Sequence, residues 1–476
     1  MVNESDCYDV AVIGAGVVGA AIARELAQYE LRCALVEAAP DVGMGTSKAN
    51  TAIWHTGFDA TPGSLEARLL RRSYPLLNRF MSEAGVPVER LGALLIAWTP
   101  EQQQALPLLL ARAHQNGVTD VHLLTAEAIY VREPNLNPGL LGGLYVPGEA
   151  ILCPFTLPLA LATQAVCNGV ELKLNHRVQQ VDRLPNGDHL LQTSGGMVQC
   201  RYLVNVAGLY ADEVDGMIGH HEFVVRPRRG ELIVFDKLAR RLVNHILLPV
   251  PTATSKGVLI SPTVYGNVLL GPTAEERPDK RDTATSAAGL HLLLQKGQEM
   301  LPDLVKEEVT ALYAGLRAAT AQKDYQIHLY PAERYICVGG IRSTGVSASM
   351  GIAAYVVEQL AAANLPLRPK ASFLSVQMPN IGEATMRPYQ SSEQIAANAD
   401  YGRIICFCER VTVGEVLDAT RAPIPARTLD GLRRRTRVLQ GRCQGFNCHA
   451  AVTALLARTT GQTMQQLLAQ EGCGDA

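Results

Sequence analysis

The alternation of apolar and polar residues predicts a strand–helix–strand unit near the start of the chain. Tyr8–Ile13 is a short β-rich run that ends directly on Gly14. Ala20–Ala27 has the small, apolar composition of a buried helix, and Leu31–Val36 is a second β-rich run closed by Glu37. Strands that alternate with helices in this way predict a parallel sheet. We therefore expect an α/β fold that opens with a βαβ unit.

Two later apolar runs also close on glycine. These are Tyr202–Gly208 and Tyr335–Gly340, and a helix is predicted from Gly351 onward. Carboxyl ends of parallel strands share one edge of a sheet, so the glycine-rich turns are expected to lie together there.

The pattern changes after residue 366. Residues 367–400 are rich in Pro, Ser and Asn and show no clear period, which predicts a linker. Helical patterns return at Val413–Ala419 and Ala450–Ala457. The sequence thus predicts a large α/β unit, a linker and a small helical C-terminal unit.

Composition narrows the class of protein. The chain has 476 residues, of which 47% are hydrophobic, enough for several packed domains. A net charge of −2 gives no reason to expect nucleic-acid or bulk membrane binding. No apolar run approaches the ~18–20 residues that span a bilayer, and Met1–Asp6 is not a positively charged signal region. We expect a cytoplasmic protein that can still dock on a membrane partner.

Gly14, Gly16 and Gly19 form a glycine fingerprint between the first strand and the first helix. In such turns the first glycine permits a tight turn, the second lets backbone approach a pyrophosphate, and the third lets helix pack on strand. The N–H groups and dipole of the helix N-terminus favour phosphate. Glu37, 23 residues after Gly14, stands where an acidic residue accepts ribose hydroxyls. These features predict a dinucleotide site rather than an ordinary βα turn.

A second glycine- and hydroxyl-rich turn favours FAD over NAD. Gly43–Asn50 is predicted to open another helix-like segment, which places Thr46 and Ser47 for further phosphate contacts. Repeated returns of glycine-rich turns to one sheet edge fit a long cofactor. The cofactor contacts predicted in the later turns are Ala207, Gly208, Gly340 and Gly345.

Four of the eleven cysteines have the spacing of metal ligands: Cys406, Cys408, Cys443 and Cys448. Two close pairs supply the four thiolates that a [2Fe–2S] cluster needs, and a Cys₄ site for structural zinc is the alternative. Flavin takes up two electrons as hydride and releases them singly to such a cluster, so the two sites together predict a flavin dehydrogenase. Free, buried thiols are expected at Cys7, Cys33, Cys153, Cys167, Cys200 and Cys337, and Cys473 is expected to be a bystander.

Over residues 7–366 the chain resembles the D-amino-acid-oxidase-type FAD oxidoreductases. The motifs are the glycine fingerprint, Asn205–Asp212, Arg226–Glu231 and Gly315–Arg317. The family includes glycine oxidase, L-2-hydroxyglutarate dehydrogenase and FAD-linked glycerol-3-phosphate dehydrogenases. The resemblance implies a Rossmann-like FAD domain interleaved with a mixed-sheet substrate domain. The implied boundaries are 1–80, 150–215 and 331–366 for the FAD domain, and 81–149 and 216–330 for the substrate domain.

Residues 401–476 resemble the bacterioferritin-associated-ferredoxin-like [2Fe–2S] domain. The likeness is strongest to the C-terminal part of anaerobic glycerol-3-phosphate dehydrogenase large subunits, through Leu432–Val438 and Cys443–Gly445. The small ferredoxin itself spaces its last two cysteines more tightly. The arginines between 433 and 437 have two functional interpretations, stabilising an anionic cluster or docking an acidic partner. The alternative is that they form a solvated helix face.

The resemblance also implies a substrate site. Arg317 matches an arginine that binds the substrate anion, and its planar fork fits a carboxylate or phosphate; a structural salt bridge is the alternative. His55 matches a flavin-proximal histidine that can accept the hydroxyl proton. Weaker candidates are Arg229 and Arg342 for the anion and His245 and His328 for the base, while His220 and His221 are expected at the surface.

Two departures from the family leave the substrate open. Glycerol-3-phosphate dehydrogenases have a basic, Tyr-containing stretch where this chain has Gly340–Gly345, and hydroxyglutarate dehydrogenases have histidine at the place of Leu259 in Lys256–Leu259. We expect an FAD-dependent dehydrogenase of a small anionic alcohol, either a polyol phosphate or a 2-hydroxy acid. Its electrons leave through the cluster to a partner protein or quinone. An amine, opine or amino-acid dehydrogenase and a non-catalytic electron-transfer subunit are the alternatives.

Overall fold

The computed structural model describes residues 7–251 and 257–472. The predictions for Met1–Asp6, Lys256 and Cys473 lie outside the described residues. The strands are β1 (Tyr8–Ile13), β2 (Cys33–Val36), β3 (Ile53–Trp54), β4 (Val88–Glu89), β5 (Ala93–Ala97), β6 (His122–Leu124), β7 (Gly142–Val146), β8 (Ala150–Leu152), β9 (Glu171–Lys173), β10 (Val178–Arg183), β11 (His189–Thr193), β12 (Gly196–Asn205), β13 (Arg226–Phe235), β14 (Ile246–Pro249), β15 (Leu259–Pro262), β16 (Val268–Gly271), β17 (Glu275–Glu276), β18 (Val309–Ala319), β19 (Gln326–Tyr330), β20 (Tyr335–Gly339), β21 (Ile404–Cys406) and β22 (Val411–Thr412).

The α-helices are α1 (Val17–Leu26), α2 (Leu65–Ala84), α3 (Pro100–Gln115), α4 (Ala126–Arg132), α5 (Thr156–Cys167), α6 (Ala211–Ile218), α7 (Ala287–Met300), α8 (Gly345–Ala362), α9 (Ser392–Ala397), α10 (Val413–Arg421), α11 (Leu429–Thr436), α12 (His449–Thr460) and α13 (Met464–Gly472). Within the part of the chain that the structure describes, no helix has both the length and the apolar character to cross a bilayer.

The first sheet carries the predicted βαβ unit. Its order in the described residues is β10-β11-β12-β1-β2-β9, with β20 beside β12 and β19 beside β20. Strand β1 runs parallel to both β2 and β12. Helix α1 packs against α5 and α8, and its alanines are fully buried because their small side chains allow close contact. The carboxyl ends of β1, β12 and β20 thereby meet at one edge.

The second sheet is mixed and mostly antiparallel. Its order in the described residues is β17-β13-β16-β15-β14-β5-β7-β6, and β18 pairs with β13. The long β13–β18 ladder sets Gly230 opposite Gly315 and Arg228 opposite Arg317. The domain boundaries stay predictions; strand β19, which those boundaries give to the substrate domain, pairs with β20 in the first sheet.

The C-terminal unit has a hydrophobic core of its own. The β21–β22 hairpin and α10–α13 bury Val411, Val416, Leu432 and Val452 among themselves. The preceding segment from 367 contains the short helix α9 and contacts α5, where the Leu374 carbonyl accepts hydrogen bonds from Gln164 and from the C-cap residue Asn168. The predicted α/β class with a small helical C-terminal unit is confirmed.

Two local predictions were wrong. The helix expected from Gly351 begins at Gly345, and Gly351 lies inside it. A Cβ at Gly351 would lie 2.2 Å from the Leu69 carbonyl oxygen, so this glycine serves the crossing of α8 with α2 rather than a helix start. The helix-like segment expected after Gly43 is a single 3-10 turn over Thr46–Lys48 that leads into β3.

Candidate active site

The glycine fingerprint forms a turn that tolerates few side chains. Gly14 has φ +106°, and a Cβ there would lie 2.6 Å from the Val206 carbonyl oxygen. A Cβ at Gly19 would lie 1.8 Å from the Gly14 carbonyl oxygen. At Gly16 the nearest atom would be the Ser47 hydroxyl oxygen, at 3.2 Å. Glycine is therefore required at position 14 for the turn and at position 19 for the packing of α1 on it, as the fingerprint predicts, whereas at Gly16 only the Ser47 hydroxyl is close.

Glu37 and Ser47 hold this turn from two sides. The Glu37 carboxylate accepts hydrogen bonds from the backbone N–H of Ala15 (2.6 Å) and of Ala39 (2.9 Å), and burial raises its pKa. The backbone N–H of Val17, at the start of α1, donates to the Ser47 hydroxyl at 2.9 Å. Both side chains lie where the sequence places them, beside the fingerprint, and their contacts with a cofactor stay predictions.

The remaining predicted cofactor residues come together along the same edge. Ala207 and Gly208 follow β12, and the Ala207 Cα would lie 3.3 Å from a Cβ at Gly14. Gly208 has φ +60°, and within the described chain no atom would lie within 4 Å of a Cβ there. Gly340 follows β20 with φ +66°, and Gly345 begins α8 next to Ile341. The open space at Gly208 and the glycine-lined turns fit a nucleotide cofactor.

The Thr46 segment also reaches the second sheet. The Thr46 hydroxyl donates to the Leu316 carbonyl at 2.7 Å. A Cβ at Gly315 would lie 2.0 Å from the Ala49 carbonyl oxygen, so the backbone of β18 is in close contact with this segment. Arg317 is the residue after Leu316 in β18, and the Thr46 segment continues through β3 to His55. The two predicted substrate residues therefore flank one stretch of chain.

His55 is paired with a buried carboxylate that the sequence did not reveal. Its Nδ1 lies 2.7 Å from Glu149 Oε2, and Glu149 is fully buried. The other carboxylate oxygen accepts from the Thr56 backbone N–H (2.6 Å) and hydroxyl (2.8 Å). The His55 backbone N–H donates to the Ser347 hydroxyl. A base oriented by a fixed carboxylate is the arrangement general-base catalysis needs.

Arg317 is a largely buried cation that lacks a carboxylate partner within residues 7–251 and 257–472. Its Nη2 donates a hydrogen bond to the Thr273 carbonyl at 3.3 Å. Burial, and then the neighbouring Arg228, lower its pKa to about 10, so it stays charged at neutral pH. A Cβ at Gly230 would lie 2.8 Å from Nη2, so this glycine makes room for the guanidinium. The salt-bridge alternative finds no partner there, and the arrangement can bind an anion.

The two weaker anion candidates are engaged elsewhere. Arg229 is buried at 2% exposure and forms salt bridges with Glu231, Glu275 and Asp282. Arg342 donates to the Lys323 carbonyl.

Three other histidines each pair with a glutamate. The pairs are His245 with Glu133 at 2.7 Å, His328 with Glu222 at 3.0 Å and His220 with Glu333 at 2.9 Å. His220 also stacks on Tyr330 with ring centroids 3.7 Å apart and is half-buried, so the prediction that it lies at the surface was wrong. His221 is exposed, as predicted.

The four predicted cluster cysteines converge as two pairs. The Cys408 thiol is in hydrogen-bond contact with Cys443, and Cys448 with Cys406. Within the described residues no three His, Cys, Asp or Glu side chains surround a single point closely enough for one metal ion. Each pair combines one cysteine from either motif, an arrangement that suits two iron positions.

The loop around Cys443 favours a thiolate. Backbone N–H groups of Asn447, Gly445 and Phe446 point at its sulfur, and they lower its pKa, with Asn447 contributing most. Gln444 and Gly445 adopt positive φ, which turns these N–H groups inward. Burial raises the pKa of Cys448 to about 12, so that thiol ionises at neutral pH only with a metal to stabilise it.

The other described cysteines are free thiols, as predicted. Cys33, Cys153, Cys200 and Cys337 are buried, whereas Cys7 and Cys167 are partly exposed. Burial raises the pKa of Cys33 to about 12, so this thiol is inert at neutral pH.

The contacts of the arginine run rule out two of its three predicted roles, the solvated face and the docking patch, and its effect on the cluster stays a prediction. Arg434 and Arg435 are buried and bind Asp41 in the loop that follows β2. Arg437 is also buried, pairs with Glu409 and lies over the Tyr265 ring. The run joins the C-terminal unit to the first part of the chain; it is neither a solvated face nor a free docking patch.

Family comparisons agree with this geometry. Residues 9–359 match the FAD dependent oxidoreductase (DAO) family, and residues 404–458 match the BFD-like [2Fe-2S] binding domain. The chain therefore belongs to the DAO family of FAD-dependent oxidoreductases. It carries a [2Fe–2S]-binding domain at its C-terminal end, and both cofactor predictions are confirmed.

Particular relatives refine the picture. The chain is 35% identical to glycerol 3-phosphate dehydrogenase of Caloramator mitchellensis, over 97% of this chain and 96% of that one. It is 28% identical to an L-2-hydroxyglutarate dehydrogenase of Escherichia coli, over 56% of this chain and 64% of that one. The solved, FAD-bound L-α-glycerophosphate oxidase of Mycoplasma pneumoniae superposes with a TM-score of 0.75 at 28% identity, covering 79% of this chain and 100% of that one.

Proposed function

We propose that this enzyme oxidises glycerol 3-phosphate and passes the electrons through its [2Fe–2S] cluster to a protein acceptor. The observation that supports the substrate assignment is the largely buried guanidinium of Arg317, which has no carboxylate partner among the described residues. Arg228 stands opposite it on β13, but its guanidinium is paired with Glu276 at 3.0 Å. The planar fork of Arg317 fits a phosphate or a carboxylate, so it favours an anionic substrate. The near full-length similarity to a glycerol 3-phosphate dehydrogenase supports phosphate as that anion.

His55 is the proposed base. With its Nδ1–H donated to Glu149, the imidazole presents a basic Nε2 for the proton of the substrate hydroxyl. Glu149 fixes that tautomer and stabilises the imidazolium that forms, because the carboxylate is held by Thr56 and excluded from water. The chemistry that FAD supplies when bound is acceptance of the hydride from carbon. Loss of hydride and hydroxyl proton leaves the ketone.

The exit for electrons is proposed at the cysteine loops. Phe407 lies between Cys406 and Cys408 and is 71% exposed, and Phe446 in the other loop is 90% exposed. Exposed aromatic side chains beside cluster ligands are typical of an interaction surface. We propose that the acceptor is a protein subunit that docks there and that the complex works in the cytoplasm or peripherally at the membrane.

A substrate panel tests the assignment. Turnover with an artificial one-electron acceptor should be fastest with glycerol 3-phosphate, compared with L-2-hydroxyglutarate, glycine, proline and neutral glycerol. Glycerol is the matched control, because it keeps the reacting hydroxyl and lacks the anion. A higher kcat/KM for a hydroxy acid or an amine than for glycerol 3-phosphate would refute the proposal.

A further inference from the structure

A buried group of ion pairs joins the C-terminal [2Fe–2S]-binding unit to the loop that follows β2. Asp41 is only 4% exposed, and its carboxylate accepts from Arg435 at 2.6 and 2.8 Å and from Arg434 at 2.6 Å. Arg434 also donates to the Val42 carbonyl at 2.6 Å. Burial acts to raise the pKa of Asp41, but the two arginines outweigh it and the pKa is lowered. The carboxylate is therefore charged and fully bonded at neutral pH.

The same loop builds the candidate cofactor site. Next to Val42, the Gly43 backbone N–H donates to the Ala15 carbonyl, inside the glycine fingerprint, at 2.9 Å. At its other end Ser47 accepts from the first N–H of α1, and its neighbour Lys48 pairs with Asp430 of α11 at 3.4 Å. Helix α11 thus braces both ends of the loop 41–48.

We propose that α11 is a positioning element for FAD: through Asp41 and Lys48 it holds the loop 41–48 in its binding conformation. Removing Asp41 or one of its arginines leaves a buried charge without its partner. Either the loop 41–48 must then rearrange or α11 must separate from it. By thermodynamic linkage, FAD then strengthens the docking of α11 to the same extent that α11 strengthens FAD binding. The inference rests on the proposed placement of FAD at the fingerprint.

A second set of contacts joins the same unit to the second sheet and provides a control. Arg442 pairs with Glu308 and Asp236, far in sequence from the loop 41–48. Arg442→Gln therefore removes these contacts of the unit without touching the loop. Asp41→Asn removes the ion pair without substituting any residue of the C-terminal unit. Arg435→Gln also removes hydrogen bonds to the Ile424 and Gly431 carbonyls within that unit.

The first measurement is the dissociation constant of FAD for the reconstituted full-length variants, together with iron content. Allosteric couplings of this kind are typically about 5- to 150-fold, and we expect Asp41→Asn and Arg435→Gln to weaken FAD binding within that range. Iron content of Asp41→Asn should equal that of wild type, and Arg442→Gln should bind FAD normally. Wild-type FAD affinity in Asp41→Asn, or an equal loss in Arg442→Gln, would overturn the proposal.

The second measurement tests reciprocity in the wild-type chain. Backbone amide exchange in α11 should slow on addition of FAD to the apo-flavin protein, while exchange in α12 should change less. Unchanged exchange in α11 would overturn the coupling. Gly16→Leu distinguishes failure of the proposed FAD site from failure of the coupling to α11. If Gly16→Leu binds FAD normally, FAD does not bind at the fingerprint. If it loses FAD while Asp41→Asn does not, only the coupling fails.

Discussion

Removal of the Arg317 guanidinium is the perturbation whose size follows most directly from the structure. The side chain is largely buried, and it donates a hydrogen bond to the Thr273 carbonyl at 3.3 Å. A substrate phosphate would supply its counter-charge. Loss of one partner of a buried, hydrogen-bonded charge pair costs about 2–5 kcal/mol. At about 1.36 kcal/mol per decade, Arg317→Ala should lower kcat/KM for glycerol 3-phosphate roughly 30- to several thousandfold.

Two further variants separate charge from geometry. Arg317→Lys keeps the charge and loses the fork, so its kcat/KM should fall between wild type and Arg317→Ala. Gly230→Ala places a Cβ 2.8 Å from the Arg317 Nη2 and should displace the guanidinium with its charge intact. Arg342→Gln is the matched control, because Arg342 is bonded to the Lys323 carbonyl, and it should retain wild-type kcat/KM.

The assay compares glycerol 3-phosphate with glycerol, using an artificial one-electron acceptor. Arg317→Ala should lose far more kcat/KM on the phosphate than on the neutral polyol. If the two losses are equal, Arg317 supports the fold and does not bind the anion, and the reasoning from its missing counter-charge is refuted.

Three other predictions follow from the site. His55→Ala should lower kcat by about 10²- to 10⁴-fold, and Glu149→Gln should lower it while shifting the pH–rate profile; an unchanged profile in Glu149→Gln would remove Glu149 from the mechanism. Cys443→Ser should lose iron yet keep flavin reduction by substrate, and a failure to reduce flavin would contradict separate hydride and electron steps. The pKa of Asp41 lies below its ordinary 3.8, so the stability that its charge contributes is present at higher pH and is lost as pH falls through the lowered pKa. The difference in thermal midpoint between wild type and Asp41→Asn should therefore close below about pH 4. A constant difference would show that the pair is not ionic.

Local patterns carried the predictions that were correct. The run Tyr8–Ile13 with Gly14, Gly16 and Gly19 specifies a strand, a turn and a helix within a few residues of one another, and no distant contact is needed to recognise it. The cysteine motifs Cys406–Cys408 and Cys443–Cys448 are readable for the same reason, since each spans only a few residues and only the approach of one motif to the other depends on the fold.

The contacts that were missed join residues far apart in the chain. Glu149 stands 94 positions after His55, and Arg435 stands 394 after Asp41, so neither pairing leaves a local pattern. The arginine run has the composition of a solvated helix face, and the burial of Arg434 and Arg435 becomes favourable because Asp41 lies opposite them. Gly351 was misread for a similar reason: its role is set by the Leu69 carbonyl on another helix.

The most direct test of the account is anaerobic mixing of the FAD- and iron-loaded enzyme with glycerol 3-phosphate. Flavin absorbance should bleach first, and the paramagnetic signal of a reduced [2Fe–2S] cluster should follow; in Cys443→Ser only the bleaching should remain. Flavin that stays oxidised with glycerol 3-phosphate, while an amine or hydroxy acid bleaches it, would contradict the account.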